Sequence, residues 1–134
     1  MKYQKIDSKL FIKNRKNFLS RMKPKSIAFF NSNDIYPVSA DSTLPFEQHR
    51  DIFYLSGVDQ EESVLMLCPS CSDQNLKEVL FLKETDDHIA VWEGPKLNKK
   101  QAFETSGIKS VFWLNEMENI IDKVMNECET IYFN

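Results

Sequence analysis

Cysteine and histidine are the residue types here best equipped for chemistry. Cys68-Pro69-Ser70-Cys71 has the C-x-x-C spacing that serves zinc ligation or dithiol redox chemistry. Zinc would need two further ligands, and only Cys128, His49 and His88 remain to supply them. A thioredoxin-like motif opens a helix, whereas this one falls between two apolar runs. The expectation is a buried strand-end cysteine, Cys68, and an exposed loop thiol, Cys71, with no metal on either. His49 lies in the polar run Glu47-Gln48-His49-Arg50-Asp51, where a Cys/His pair or a His/Asp base is conceivable. No Gly-x-Ser-x-Gly elbow and no helix-opening cysteine accompanies it, so no catalytic residue is assigned. The three glycines are isolated, which leaves no phosphate-cradling loop. Glu61-Glu62 and Asp86-Asp87 are adjacent carboxylates. Neighbours on a strand face opposite sides, so both pairs read as solvated turns.

The elements that would position these residues have ample material for a core. Of 134 residues, 42% are hydrophobic and 12% aromatic, which excludes disorder and suits one domain. The apolar runs reach five or six residues, far short of a membrane span, and no apolar signal region follows the basic start. Three cysteines cannot all pair, which fits a reducing, cytoplasmic setting. Residues 1–25 carry a net charge of +8 and the remainder −11. In an acidic chain the basic segment reads as a solvated helix face rather than a nucleic-acid surface.

Ser8 to Met22 has helical spacing in Phe11, Phe18 and Met22, and Pro24 ends it. Ile27–Phe30, Val64–Cys68 and Val79–Leu82 read as buried strands, continuous enough to predict cover on both sheet faces. Asn31 to Pro45 reads as loop and Pro69 to Asn75 as turn. Ile89 to Trp92 reads as a fourth extended piece. Asn98 to Ser106 reads as a helix with Gln101 at the capping-box position and Gly107 at the exit. Val111–Trp113 is a strand. Asn115 is expected to cap a third helix, and Ile131–Phe133 is a last strand. The alternation predicts an α/β class with a mixed sheet flanked by helices, and no internal repeat. A chain that stops in a strand looks trimmed from something longer.

The run Pro45-Phe46-Glu47-Gln48-His49-Arg50-Asp51-Ile52-Phe53-Tyr54-Leu55-Ser56-Gly57-Val58 resembles the signature of the N-terminal domains of aminopeptidase P and prolidase, roughly F-R-Q-x-S-D-F-x-Y-L-T-G-F. Phe46, Gln48, Asp51, Tyr54, Leu55 and Gly57 match in place. Glu47 and Arg50 stand where the family has arginine and serine. Arg15–Met22 is similar to the family's first helix, and Glu61–Leu67 to its acidic turn and strand. Val91-Trp92-Glu93-Gly94-Pro95-Lys96 is similar to its W-x-G-R-R segment, with Pro95 and Lys96 in place of arginines.

The resemblance implies a mixed α/β domain of the creatinase/aminopeptidase P N-terminal type, which is ribonuclease H-like. It implies one non-catalytic domain over residues 1–134, with a catalytic pita-bread domain after residue 134. That domain would hold two divalent ions, usually manganese, so the fragment alone would be inactive and carry no cofactor. The parent would be a metallo-aminopeptidase or dipeptidase acting on Xaa-Pro peptides. Its partners would be its own catalytic domain, other copies of itself and the peptide substrate, with no nucleic acid or membrane. Asp51 and Trp92 would reach a neighbouring subunit's cleft, with Arg50 and Tyr54 as further cleft or interface candidates. The alternative is a stand-alone binding or scaffold protein that keeps the fold without the chemistry.

Overall fold

The continuous apolar runs become the middle of one sheet. The structure, a computed structural model, describes residues 6–32, 37–39, 42–43, 50–93 and 96–133. In chain order the elements are α1 (Ser8–Leu19), β1 (Ser26–Asn31), β2 (Pro37–Ser39), β3 (Ser42–Thr43), α2 (Arg50–Ser56), β4 (Ser63–Leu67) and β5 (Glu78–Leu82). Then come α3 (Asp87–Glu93), α4 (Lys99–Ser106), β6 (Ser110–Trp113), α5 (Met117–Val124) and β7 (Thr130–Phe133). The main sheet has five strands in the order β6-β5-β4-β1-β7. β4 runs antiparallel to both β1 and β5, whereas β7 and β6 pair parallel with β1 and β5.

Side chains alternate across the sheet with period two, so each strand feeds two cores. Ala28, Phe30, Leu65, Leu67, Leu80, Leu82 and Val111 meet Ile52, Leu55 and Ala102 from α2 and α4, with Phe18 and Leu19 of α1 packed outside. Ile27, Phe29, Met66, Val79 and Phe81 meet Ile120 and Val124 of α5 on the opposite face. Both faces are covered, as the unbroken apolar strands require. No described helix is long and apolar enough to cross a membrane.

A buried arginine ties three helices together. Arg15 of α1 is 2% exposed. Its Nη1 donates to the carbonyls of Leu55 and Ser106, each at 2.8 Å, and its Nε donates to Glu78 at the start of β5. Leu55 and Ser106 lie in the last turns of α2 and α4, where unpaired carbonyls and the helix dipole both favour a cation. The two helices end alike. Ser56 and Ser106 each donate from Oγ to the carbonyl four residues back, at 2.6 and 2.7 Å. Gly57 and Gly107 follow in the left-handed region, with φ of 72° and 77°. A Cβ at Gly57 would overlap the Phe11 ring, and one at Gly107 would lie 2.6 Å from Ile12 Cδ1. Glycine therefore serves both the backbone turn and the close approach of α1.

Several expectations need correction. Ile89–Trp92 is helical, inside α3, because Asp86 caps it: its carboxylate accepts from Ile89 N at 2.8 Å and its carbonyl from Ala90 N at 2.9 Å. A four-residue apolar run cannot by itself separate strand from helix. The Asn31–Pro45 stretch is not all loop, since Asn31 closes β1 and β2 pairs with β3. Asn115 does not cap α5. Its amide donates to Glu84 at 3.2 Å, while Glu116 accepts from Trp113 N at 2.7 Å and folds residues Leu114–Glu116 into a 3₁₀ turn. Cys71 is buried rather than an exposed thiol, packed with Leu76 and Cys68. The capping box of Asn98 and Gln101 forms as expected, with Gly107 at the exit.

Arg15→Met keeps the apolar stem but leaves two buried carbonyls without a donor. It should cost about 3 kcal/mol or more, read as an earlier urea midpoint. Glu78→Gln should cost far less, because the Glu78 side chain is 37% exposed. Equal effects from the two changes would refute the clamp.

Candidate functional site

Arg15 gathers the C-termini of α2 and α4 beside the start of β5, so α4 begins at the opposite end of the sheet. There Lys99 stands over the Trp113 ring at 5.0 Å, at the end of β6. The loop entering β4 is held at this end too. Gln60 Oε1 accepts from Leu97 N at 2.9 Å, Lys96 pairs with Glu61, and Lys83 pairs with Glu62 at 3.4 Å. The Lys96 and Glu61 side chains are only 17% and 25% exposed. Lys96 donates a hydrogen bond to Glu61 and holds its carboxyl below the ordinary value.

Beside these pairs lies an open groove of about 470 Å³, lined by Lys83, Glu84, His88, Ile89, Trp92, Leu114 and Asn115. Chain geometry explains its composition. β5 and β6 are parallel neighbours, so their exits at Lys83-Glu84 and Leu114-Asn115 lie side by side. α3 follows β5 closely and contributes His88, Ile89 and Trp92. The lining is mainly apolar, with charged side chains and the Asn115 amide among it. Among the described lining residues none is Ser, Thr or Cys, so the groove brings no hydroxyl or thiol to His88. Its chemistry is that of binding: an aromatic face, apolar contact and hydrogen-bonding groups around them.

Trp92 is 81% exposed and its neighbour Val91 78%. The ring is therefore not a cap on the core, and it borders the groove. Arg50 and Asp51 are exposed in the first turn of α2, and Tyr54 is 54% exposed on the same helix. None of the three lines the groove with Trp92. Asp51 is exposed on α2, so its carboxylate carries no burial cost. Within the signature run, Ile52 and Leu55 are buried and Phe53 is half-buried. Phe46 and His49 lie outside the described residues. Arg15 is the structural residue that pattern reading missed. The paired Leu-Ser-Gly-Val and Thr-Ser-Gly-Ile endings at residues 55–58 and 105–108 were the available signal.

Trp92→Ala should shift stability by less than about 0.5 kcal/mol in denaturant titration, as exposed positions do. A loss of several kcal/mol at Trp92 would mean the ring is core. Because the folded pKa of Glu61 is depressed, its contribution is present above the ordinary value of 4.5 and is lost as pH falls below it. Glu61→Gln should therefore flatten the acid side of the thermal midpoint against pH, and an unchanged profile would contradict this.

Comparison with known proteins gives the fold its place. Residues 11–132 match the family model described as aminopeptidase P, N-terminal domain. The chain is 28% identical over 127 residues to the Xaa-Pro aminopeptidase of Escherichia coli, covering 95% of this chain and 29% of that protein. It superposes on Pseudomonas aeruginosa aminopeptidase PepP with a TM-score of 0.85 at 24% identity, covering 96% of this chain and 29% of that one. Against Escherichia coli aminopeptidase P with the inhibitor Pro-Leu the TM-score is 0.82 at 25% identity, covering 97% and 29%. The chain thus spans less than a third of the length of these relatives. The family match extends over almost all of the described fold, and the chain belongs to the aminopeptidase P N-terminal domain family.

Proposed function

We propose that the chain is the non-catalytic N-terminal domain, residues 1–134, of a longer manganese-dependent Xaa-Pro aminopeptidase of the cytoplasm. The parent would release the N-terminal residue from peptides with proline in second place, through a catalytic domain that follows this one. This domain's work is to join subunits and to shape the mouth of the active site. The observation that carries the reading is Trp92, a large aromatic ring held 81% exposed beside a groove, on the fold of this family. An exposed tryptophan offers large contact area and one N–H donor at low entropic cost, which suits contact with a peptide or a neighbouring subunit. Arg50, Asp51 and Tyr54 present a second exposed set on α2 for the subunit contact.

In the parent, paired divalent ions would supply the activated water and steady the developing charge. The described residues include no group of three or more His, Cys, Asp or Glu that could hold a metal ion, so no metal step is assigned to them. Their part is positioning and exclusion of water around the peptide. An odd count of three cysteines supports the reducing compartment.

In the full-length parent, Trp92→Ala should raise KM for an Xaa-Pro peptide about tenfold with little change in thermal midpoint. Unchanged kinetics would remove Trp92 from the cleft. The chain alone, given Xaa-Pro peptides and manganese, should show no turnover. Activity that survives repurification and disappears with a point mutation in this chain would overturn the reading.

A further inference from the structure

None of the three cysteines lines the groove. They come from distant parts of the chain, yet Cys68 Sγ lies 3.4 Å from Cys128 Sγ, 60 residues away in sequence. Cys68 directly follows β4, and its N–H donates to the Lys77 carbonyl at 2.7 Å. Cys128 ends the single 3₁₀ turn Met125–Glu127 that follows α5, just before β7. Both segments are anchored. Lys25 N donates to Ser70 Oγ at 3.1 Å, and Ser72 N donates to the Glu127 carboxylate at 3.3 Å. Two sulfurs held this close need only a small further approach to bond.

We propose that Cys68 and Cys128 form an oxidisable pair, a modification site whose co-substrate is a low-molecular-weight disulfide. Cys128 is the point of entry, because Cys68 is 0% and Cys71 3% exposed while Cys128 is half-buried. Its thiolate attacks one sulfur of the small disulfide, forms a mixed disulfide and expels one thiolate. The Cys68 thiolate then attacks Cys128 Sγ and expels the second. Two protein thiols are oxidised, the small disulfide is reduced to two thiols, and the two protein protons end on those products. Burial pushes the Cys68 thiol up, aided by the neighbouring Cys128, so the second step quickens as pH rises. Cys71 is a poor competitor. Burial raises its pKa as well, and Glu127 beside it adds to the rise. The product staples the end of β4 to the entry of the edge strand β7 and closes a long loop in the unfolded chain.

The test is incubation of the folded protein with oxidised glutathione, followed by thiol titration in denaturant, intact mass and non-reducing peptide mapping. The expected product is monomeric, retains one titratable thiol, has lost two hydrogens and yields a linked Cys68–Cys128 peptide. Its thermal midpoint should rise by roughly 5–15 °C and return on reduction. Cys71→Ser should still form the bond and Cys128→Ser should not. Three titratable thiols, a Cys68–Cys71 bond, or a glutathione adduct left on any cysteine would overturn the proposal.

Discussion

Everything on one face of the sheet depends on the guanidinium of Arg15. Burying that charge would be prohibitive without partners, and the fold supplies them from two helix ends and one strand. The demand runs both ways. The last carbonyls of α2 and α4 need donors, and these short helices of seven and eight residues have little stability of their own. Bringing α1 close enough to reach them leaves no room for a Cβ at Gly57 or Gly107. One cation, two serine-glycine endings and the Phe11 and Ile12 contacts therefore form a single mutually dependent arrangement.

That arrangement has a consequence at the far end. With the C-termini of α2 and α4 fixed at the start of β5, the start of α4 is fixed where β5 and β6 finish. The groove, the pairs Lys96–Glu61 and Lys83–Glu62, and the exposed Trp92 all lie there. The Arg15 clamp and the groove occupy opposite ends of the sheet.

The sheet was legible because fully buried strands carry unbroken apolar runs, as in Val64–Cys68 and Val79–Leu82. The α4 boundaries were legible because Asn98, Gln101 and Gly107 are local signals. What failed was decided by a residue just outside the window of the pattern. Asp86 turns Ile89–Trp92 into a helix, and Glu116 rather than Asn115 organises the entry to α5. Cys71 is buried in a cluster that includes residues more than 40 positions away, which no local pattern reports. Arg15 looked like one cation among nine in a basic segment, since its partners lie 40, 63 and 91 residues away. Of the candidate site, Trp92 was recognisable only by resemblance. Its exposure could not be read from a run of four apolar residues.

On the proposed reading, this fold holds Trp92 outward for contact with the rest of a larger enzyme. The most direct measurement is oxidative labelling of tryptophan in the isolated chain and in the full-length parent, with Trp113 as the internal reference because Lys99 and the core partly cover it. The account predicts rapid labelling of Trp92 in the isolated chain, strong protection in the parent, and little change at Trp113. Equal labelling of Trp92 in both would contradict it.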